Sequence, residues 1–336
     1  MEKIKVALIG YGYWGPNLAR VLNELEGVDF KYCVDKSSEQ LNQVKSKYPG
    51  VITTVRLEEA LDNVDAVFVV TPTNTHFKIA RECLEAGKHT FIEKPLTSDV
   101  KEASELVKIA EAKDLRLMVG HVFLFNPSVL MIKEYIDSGR LGALRHLHFQ
   151  RRNLGPIRKD INVLWDLAPH DISMALYFIG DSPLSVNASG ADYLQEKLED
   201  VVSISMKFAN DVLVNIILSW IDPVKIRDVT IVGEKKMILF DDVQPSEKIK
   251  IFDKNAHIIK ETRDVSFPEY QIALKSGDIS IPSIPNQEPL KNEIKHFLDC
   301  IIQQSTPLTD GINGMKVVRV LNAVEKSLKE NQTVVL

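Results

Sequence analysis

An apolar run, Val6-Ala7-Leu8-Ile9, leads directly into Gly10-x-Gly12-x-x-Gly15, and a helical pattern follows at once. Val6, Leu8 and Ile9 read as a buried parallel strand. Leu18, Val21, Leu22 and Leu25 then recur at i, i+3, i+4 and i+7, the stripe of an amphipathic helix. The three glycines do different things. The first permits a tight strand-to-helix turn, the second lets a pyrophosphate approach the backbone, and the third brings helix close to sheet. The helix start offers N–H groups and a partial positive charge to phosphates. A second apolar strand, Phe30–Val34, ends at Asp35, placed to accept from adenosine ribose hydroxyls. A dinucleotide site therefore includes Gly10, Gly12, Tyr13, Trp14, Gly15 and Asp35. A carboxylate at Asp35 repels a 2′-phosphate, so NAD is favoured over NADP, although Lys36, Ser37 and Ser38 soften that repulsion.

At 336 residues the chain exceeds one ordinary core and divides into two expected domains, 1–122 for the cofactor and 123–336 for substrate and oligomerisation. Apolar and charged fractions of 45% and 26% are those of a globular protein, and a net charge of −5 argues against a nucleic-acid partner. No apolar run approaches membrane-spanning length. The first strand begins by the third or fourth residue, which leaves no room for a signal peptide. Cys33, Cys83 and Cys300 are odd in number and lie in apolar surroundings, as buried thiols of a cytoplasmic protein do. No metal site is expected.

Strand-like runs at 5–9, 30–34, 66–70, 89–93 and 116–120 alternate with helical patterns at 14–26, 37–48, 75–86 and 99–113. That alternation demands right-handed crossovers and a doubly wound parallel α/β sheet, with ligands at the carboxyl ends of its strands. After residue 122 the pattern changes. A helix near 127–138 precedes strands of period two: Val202, Ile204, Met206 and Phe208 point one way, Ser203, Ser205 and Lys207 the other. Ala209-Asn210-Asp211 and Gly233-Glu234 read as hairpin turns. The second domain is therefore α+β, on a largely antiparallel open sheet. Residues 255–289, with Pro268, Pro282, Pro285 and Pro289, read as a long irregular segment. Helices at 290–304 and 312–329 close the chain.

Three segments carry the chemistry. Val70-Thr71-Pro72-Thr73-Asn74-Thr75-His76 places Thr71, Thr73 and His76 at a strand's carboxyl end, as cofactor contacts or with Thr75 capping a helix that starts at His76. Ile92-Glu93-Lys94-Pro95 brings Glu93 and Lys94 to the same crevice. Asp166 and His170, four apart, share a helix face. Pro169 between them is tolerated in a first turn, so the helix is expected to begin near 166. The alternative makes Asp166 an N-cap and His170 a core histidine bonded to a carbonyl.

The glycine loop, Asp35, Glu93-Lys94-Pro95 and Asp166-x-x-x-His170 together resemble the Gfo/Idh/MocA oxidoreductases over nearly the whole chain. The resemblance implies an N-terminal Rossmann domain, a commonly cis Lys-Pro bond, and Lys94, Asp166 and His170 as the catalytic trio. It also implies a homodimer or homotetramer, in which a second subunit covers the open sheet. The chain departs from the family's frequent Asp-x-Gly-x-His pattern, having Trp165 and Ala168-Pro169, which alters the pocket wall. The trio implies hydride transfer between a secondary alcohol and NAD, with His170 as base, Asp166 as its partner and Lys94 polarising the substrate oxygen.

Gln150–Gly155 and Ile157–Asn162 bring cations toward a sugar-sized site, as a diphosphate requires. Arg152, Asn153, Arg158, Asn162 and Trp165, with Lys94 and His170, are the candidate substrate contacts. Asn153 through Asp171 also resembles a nucleotide-sugar subgroup, the UDP-N-acetylglucosamine 3-dehydrogenases, whose 3-keto sugars feed lipopolysaccharide synthesis. Two alternatives stand beside that reading: a dehydrogenase of a free polyol or sugar such as an inositol, and a non-catalytic NAD-binding sensor.

Overall fold

The computed structural model describes residues 3–259 and 271–336. Strands β1 (Ile4–Ile9), β2 (Val28–Val34), β3 (Ile52–Thr54), β4 (Ala66–Val69), β5 (His89–Glu93) and β6 (Leu117–Gly120) alternate with helices α1 (Gly15–Glu24), α2 (Ser38–Lys47), α3 (Leu57–Leu61), α4 (Thr73–Glu85) and α5 (Val100–Ala112). The chain continues through α6 (Pro127–Asp137), β7 (Leu144–Leu154), α7 (Val163–Ile179), β8 (Ser185–Ala191), β9 (Val201–Lys207), β10 (Leu213–Ser219), β11 (Ile221–Gly233), β12 (Met237–Asp241), β13 (Ile249–Ile259) and β14 (Gln271–Ser280). It ends with α8 (Pro289–Gln303), α9 (Gly311–Glu330) and β15 (Val334–Val335).

Val6, Ala7, Leu8 and Ile9 are all buried, because helices cover both faces of the first sheet. One face gathers Ala7, Ile9, Val67, Val69 and Ile92 with Ala80 and Leu84 of α4 and Ala103, Leu106, Val107 and Ala110 of α5. On the other face, Phe68 and Phe91 meet Phe297 of α8 edge-on at 5.5 and 5.9 Å. Asp99 caps α5 by accepting from the N–H groups of Lys101 and Glu102. The strand order is β3-β2-β1-β4-β5-β6. The order reverses between β1 and β4, and dinucleotides bind at the carboxyl ends of such a pair.

The second sheet runs β14-β13-β12-β11-β7-β10-β9-β8-β15 and is antiparallel except at β7–β10. Val202, Ile204 and Met206 are buried as their alternation requires. Asn210 and Asp211 adopt φ of 57° and 58° in the turn from β9 to β10. The irregular segment expected at 255–289 is corrected in part: β13 and β14 form an antiparallel pair, with Ala256 opposite Leu274. Pro268 lies outside the described residues. Two short elements, β3 and α3, carry no readable periodicity, being three and five residues long.

The chain divides into two compact units, residues 3–126 with 287–322 and residues 127–286 with 323–336. The expected 123–336 domain differs at its end, because α8 and the first part of α9 group with the parallel sheet. Among the described residues, no helix is long and apolar enough to cross a membrane. All three cysteines are buried, and burial pushes the Cys33 thiol up to about 12.

Candidate active site

In the first unit, Gly10 has φ +99°, and a Cβ there would lie 2.7 Å from the Val70 carbonyl oxygen. A Cβ on Gly15 would lie 2.6 Å from the Gly10 oxygen, whereas nothing lies within 4 Å of one on Gly12. Two glycines are thus fixed by packing, and the third leaves the backbone open to a ligand. Helix α1 begins at Gly15 with no side-chain cap and no acid in its first turn, so its N–H groups suit a phosphate. Asp35 accepts from the N–H of Tyr11 at 2.7 Å and of Ser37 at 2.8 Å. Those bonds fix the carboxylate beside the glycine loop and leave lone pairs for ribose hydroxyls. The residues present therefore fit a dinucleotide. Tyr13 is 95% exposed.

Pro72 precedes α4, which starts at Thr73 rather than His76, so Thr75 lies inside the first turn and is not the cap. Its hydroxyl is 2.7 Å from the Pro72 oxygen and 2.8 Å from Thr71 Oγ1. His76 is buried, with Nδ1 2.9 Å from the Pro95 oxygen and Nε2 2.8 Å from the Thr71 oxygen. It braces two strand-end turns, and burial lowers its pKa.

The Lys94–Pro95 peptide is cis. Glu93 and Lys94, at the end of β5, are partly buried. Glu93 accepts from the Lys94 N–H at 3.2 Å and from the Trp14 side chain, which ties the glycine loop to β5. Burial pushes the Glu93 carboxyl up to about 7, against the opposing pull of the Lys94 charge.

In the second unit, Asn162 caps α7, accepting from the Trp165 N–H at 3.2 Å and donating to Glu199. The helix starts at Val163 and not near 166, so Pro169 lies in its interior. Without an N–H there, the Trp165 carbonyl lacks its intrahelical donor. Asp166 is not the cap. Asp166 and His170 still share a face, one turn apart. Trp220, buried just after β10, donates its indole N–H to Asp166 at 3.3 Å. The Arg158 guanidinium pairs with both oxygens of Asp160 at 3.0 and 2.6 Å and reaches Asp166 at 3.7 Å.

The segment 150–155 is divided by strand alternation. Arg151 is buried and grips Asp171 on α7, with Nε 3.0 Å from Oδ2 and Nη2 2.7 Å from Oδ1. Arg152 turns to the opposite face of β7, where it meets Asp222 at 2.9 Å and Gln150 at 2.8 Å. Within the second unit, then, the structure brings Arg158, Asp166 and His170 onto or beside one helix. It commits Asn162 to a cap and Arg152 to an ion pair. Asn153 and Trp165 are partly buried.

Residues 4–121 match an oxidoreductase family with an NAD-binding Rossmann fold, and residues 129–239 match the Gfo/Idh/MocA C-terminal domain. The chain belongs to the Gfo/Idh/MocA oxidoreductases. It is 27% identical over 335 residues to UDP-N-acetylglucosamine 3-dehydrogenase of Acidithiobacillus ferrooxidans, covering 95% of each chain. A solved structure of that enzyme, GnnA, matches with a TM-score of 0.81 at 25% identity, over 98% of this chain and 99% of that one. Inositol 2-dehydrogenase of Rhizobium meliloti is 26% identical over 202 residues, 59% of this chain and 61% of the relative. GenD2 from gentamicin A biosynthesis, solved with NAD, shares the fold at a TM-score of 0.83 and 22% identity, over 100% of this chain and 97% of that one.

As a Gfo/Idh/MocA oxidoreductase the protein uses NAD. The sequence did not expose two supports of this site. Trp220 follows a strand with no local sign that its indole would meet Asp166. Asp171 adjoins His170, but only the pairing of β7 with its neighbours and the packing of α7 on that sheet reveal Arg151 as its partner.

Proposed function

We propose that the protein oxidises a secondary hydroxyl, at C3, of a nucleotide-activated sugar such as UDP-N-acetylglucosamine, giving the 3-keto sugar. The observation that carries this reading is the Asp166–His170 pair on α7, with Arg158 beside Asp166, in a chain aligned end to end with a UDP-N-acetylglucosamine 3-dehydrogenase. NAD bound at the glycine loop supplies the hydride acceptor. His170 takes the hydroxyl proton, the work of an imidazole near neutral pH. Asp166, held by Trp220, stabilises the imidazolium so formed. Lys94 donates to the substrate oxygen as it becomes a carbonyl. The reading requires Lys94 and His170 to serve one hydroxyl. Arg158 is the cation assigned to the diphosphate.

A second reading, oxidation of a free polyol, draws on the pairing of Arg152 with Asp222 and of Arg158 with Asp160, which leaves less positive charge for a diphosphate. Inositol dehydrogenases among the relatives favour it too. NADH absorbance, followed with NAD and a panel of UDP-sugars and inositols, separates the two. Turnover of UDP-N-acetylglucosamine is the expected result. Turnover of inositol alone would select the second reading, and tight NAD binding without any turnover would select a sensor.

We further assign a homo-oligomer, with the open face of the second sheet covered by another copy. Ile217 is half-buried on the face opposite Ile216 and Leu218, and Leu213 on the same strand face is 39% exposed. Sedimentation should show a dimer or tetramer, and a monomer at micromolar concentration would refute the assignment.

A further inference from the structure

We propose that Glu293 is a positioning residue for this reaction: it stays protonated beneath the end of β5, so that the single negative charge of a carboxyl pair rests on Glu93 and holds the Lys94 ammonium in place. The proposal rests on the hydride-transfer reading for its function, though not for its chemistry.

Glu293 and Glu93 are brought together by the periods of their elements. Phe297 of α8 packs edge-on against Phe91 of β5. Glu93 follows Phe91 by two residues and so shares its strand face, and Glu293 precedes Phe297 by one helical turn and shares its helix face. Gly120 makes room for the upper carboxyl, since a Cβ there would lie 3.1 Å from the Glu93 carboxyl carbon and from Oε1.

Glu293 is fully buried, and among the described residues nothing donates to either of its oxygens. A carboxylate in that position would be neither solvated nor paired, so the neutral acid is the stable form. Burial and the neighbouring Glu93 charge both push its pKa well up. Among the described residues, the charge acting on Glu93 is that of Lys94 on β5, and the same charge acts on His121 just after β6. His121 is buried, no described residue bonds either ring nitrogen, and burial with the Lys94 charge brings it down to about 3. It is neutral at working pH and leaves Lys94 as the cation. Glu93, bonded to the Lys94 N–H and to Trp14, is the carboxyl better able to carry charge. The two carboxyls therefore titrate as a unit holding one proton.

Acetylation of Lys94 by acetic anhydride, read by mass spectrometry of its peptide between about pH 6 and 9, tests this with no sugar present. E293Q keeps an N–H donor, never ionises, and should label like wild type. E293L leaves Glu93 against an apolar wall. Glu93 then retains its proton, and Lys94 loses that neighbouring negative charge and labels about tenfold faster near neutral pH, one pKa unit's worth. E93Q should label as fast. Melting adds an independent readout, because replacing a buried acid with an apolar side chain is often stabilising. A carboxyl raised above its ordinary 4.5 favours the fold below that pH and loses the benefit as pH rises, so the E293L advantage in Tm should widen upward from there. A purely packing role predicts the reverse, a lowered Tm with unchanged labelling, and that result overturns the proposal. Equal labelling of E293Q and E293L also overturns it. If UDP-N-acetylglucosamine is turned over, the acid limb of kcat should move up by about one pH unit in E293L. If no sugar is turned over, the hydride-transfer reading fails while the labelling still decides the pair.

Discussion

Alanine at His170 lowers kcat by about 10²–10⁴-fold while NADH affinity stays near wild type, because the role proposed for His170 is general-base help of that size and the role proposed for the glycine loop is cofactor binding. The proposed cofactor residues lie in one unit and the proposed proton acceptor in the other. Gly10, Gly12, Gly15 and Asp35 belong to the first, and His170 to the second, so cofactor binding and proton transfer should separate cleanly by mutation. Alanine at Lys94 should also reduce kcat by at least about 10²-fold, since Lys94 is assigned a bond that strengthens as the carbonyl forms. Stopped-flow measurement of NADH formation with UDP-N-acetylglucosamine, beside NADH fluorescence titration, checks both variants. Near-wild-type turnover in either removes that residue from its role.

Alanine at Asp171 should destabilise the second unit by about 3–5 kcal/mol, the cost of stripping one partner from a buried ion pair. Arg151 and Asp171 are both almost wholly buried, with side chains 5% and 3% exposed, so neither has water to fall back on. The loss reaches further than one arginine. Arg227 lies opposite Arg151 on β11, and burial together with the Arg151 charge lowers its pKa, while Asp242 and Asp171 oppose that shift. Removing Asp171 leaves two neighbouring cations with less compensation. At about 2–4 °C per kcal/mol, the transition should fall by roughly 6–20 °C, which differential scanning calorimetry can measure. The paired change Arg151→Met with Asp171→Leu should recover most of it, because apolar groups remove both buried charges together. An Asp171→Ala protein that melts with wild type would show that another contact anchors α7.

The glycine loop and its following acid were readable because strand, turn and helix are local patterns, and Gly10 and Gly15 stand where a Cβ meets backbone at 2.7 and 2.6 Å. The spacing of Asp166 and His170 was equally local. The start of their helix was not, because Pro169 suggested a first turn while Asn162 had already capped α7 three residues before Trp165. Arg151 and Arg152 looked alike as sequence. Strand alternation sent one to Asp171 and the other to Asp222, a distinction that depends on which sheet face α7 covers. The β13–β14 pair lacked clear alternation, and the prolines after it suggested a loop. Glu293 gave no local signal, as its meaning comes from Phe297 meeting Phe91 across the sheet.

A double-mutant cycle on kcat/KM with UDP-N-acetylglucosamine decides whether Lys94 and His170 serve one hydroxyl, as proposed. Groups that act as a unit are strongly non-additive. Lys94→Ala combined with His170→Ala is then expected to be little worse than the more damaging single change. Losses that multiply in full would mean the two residues act independently, and would contradict the proposal.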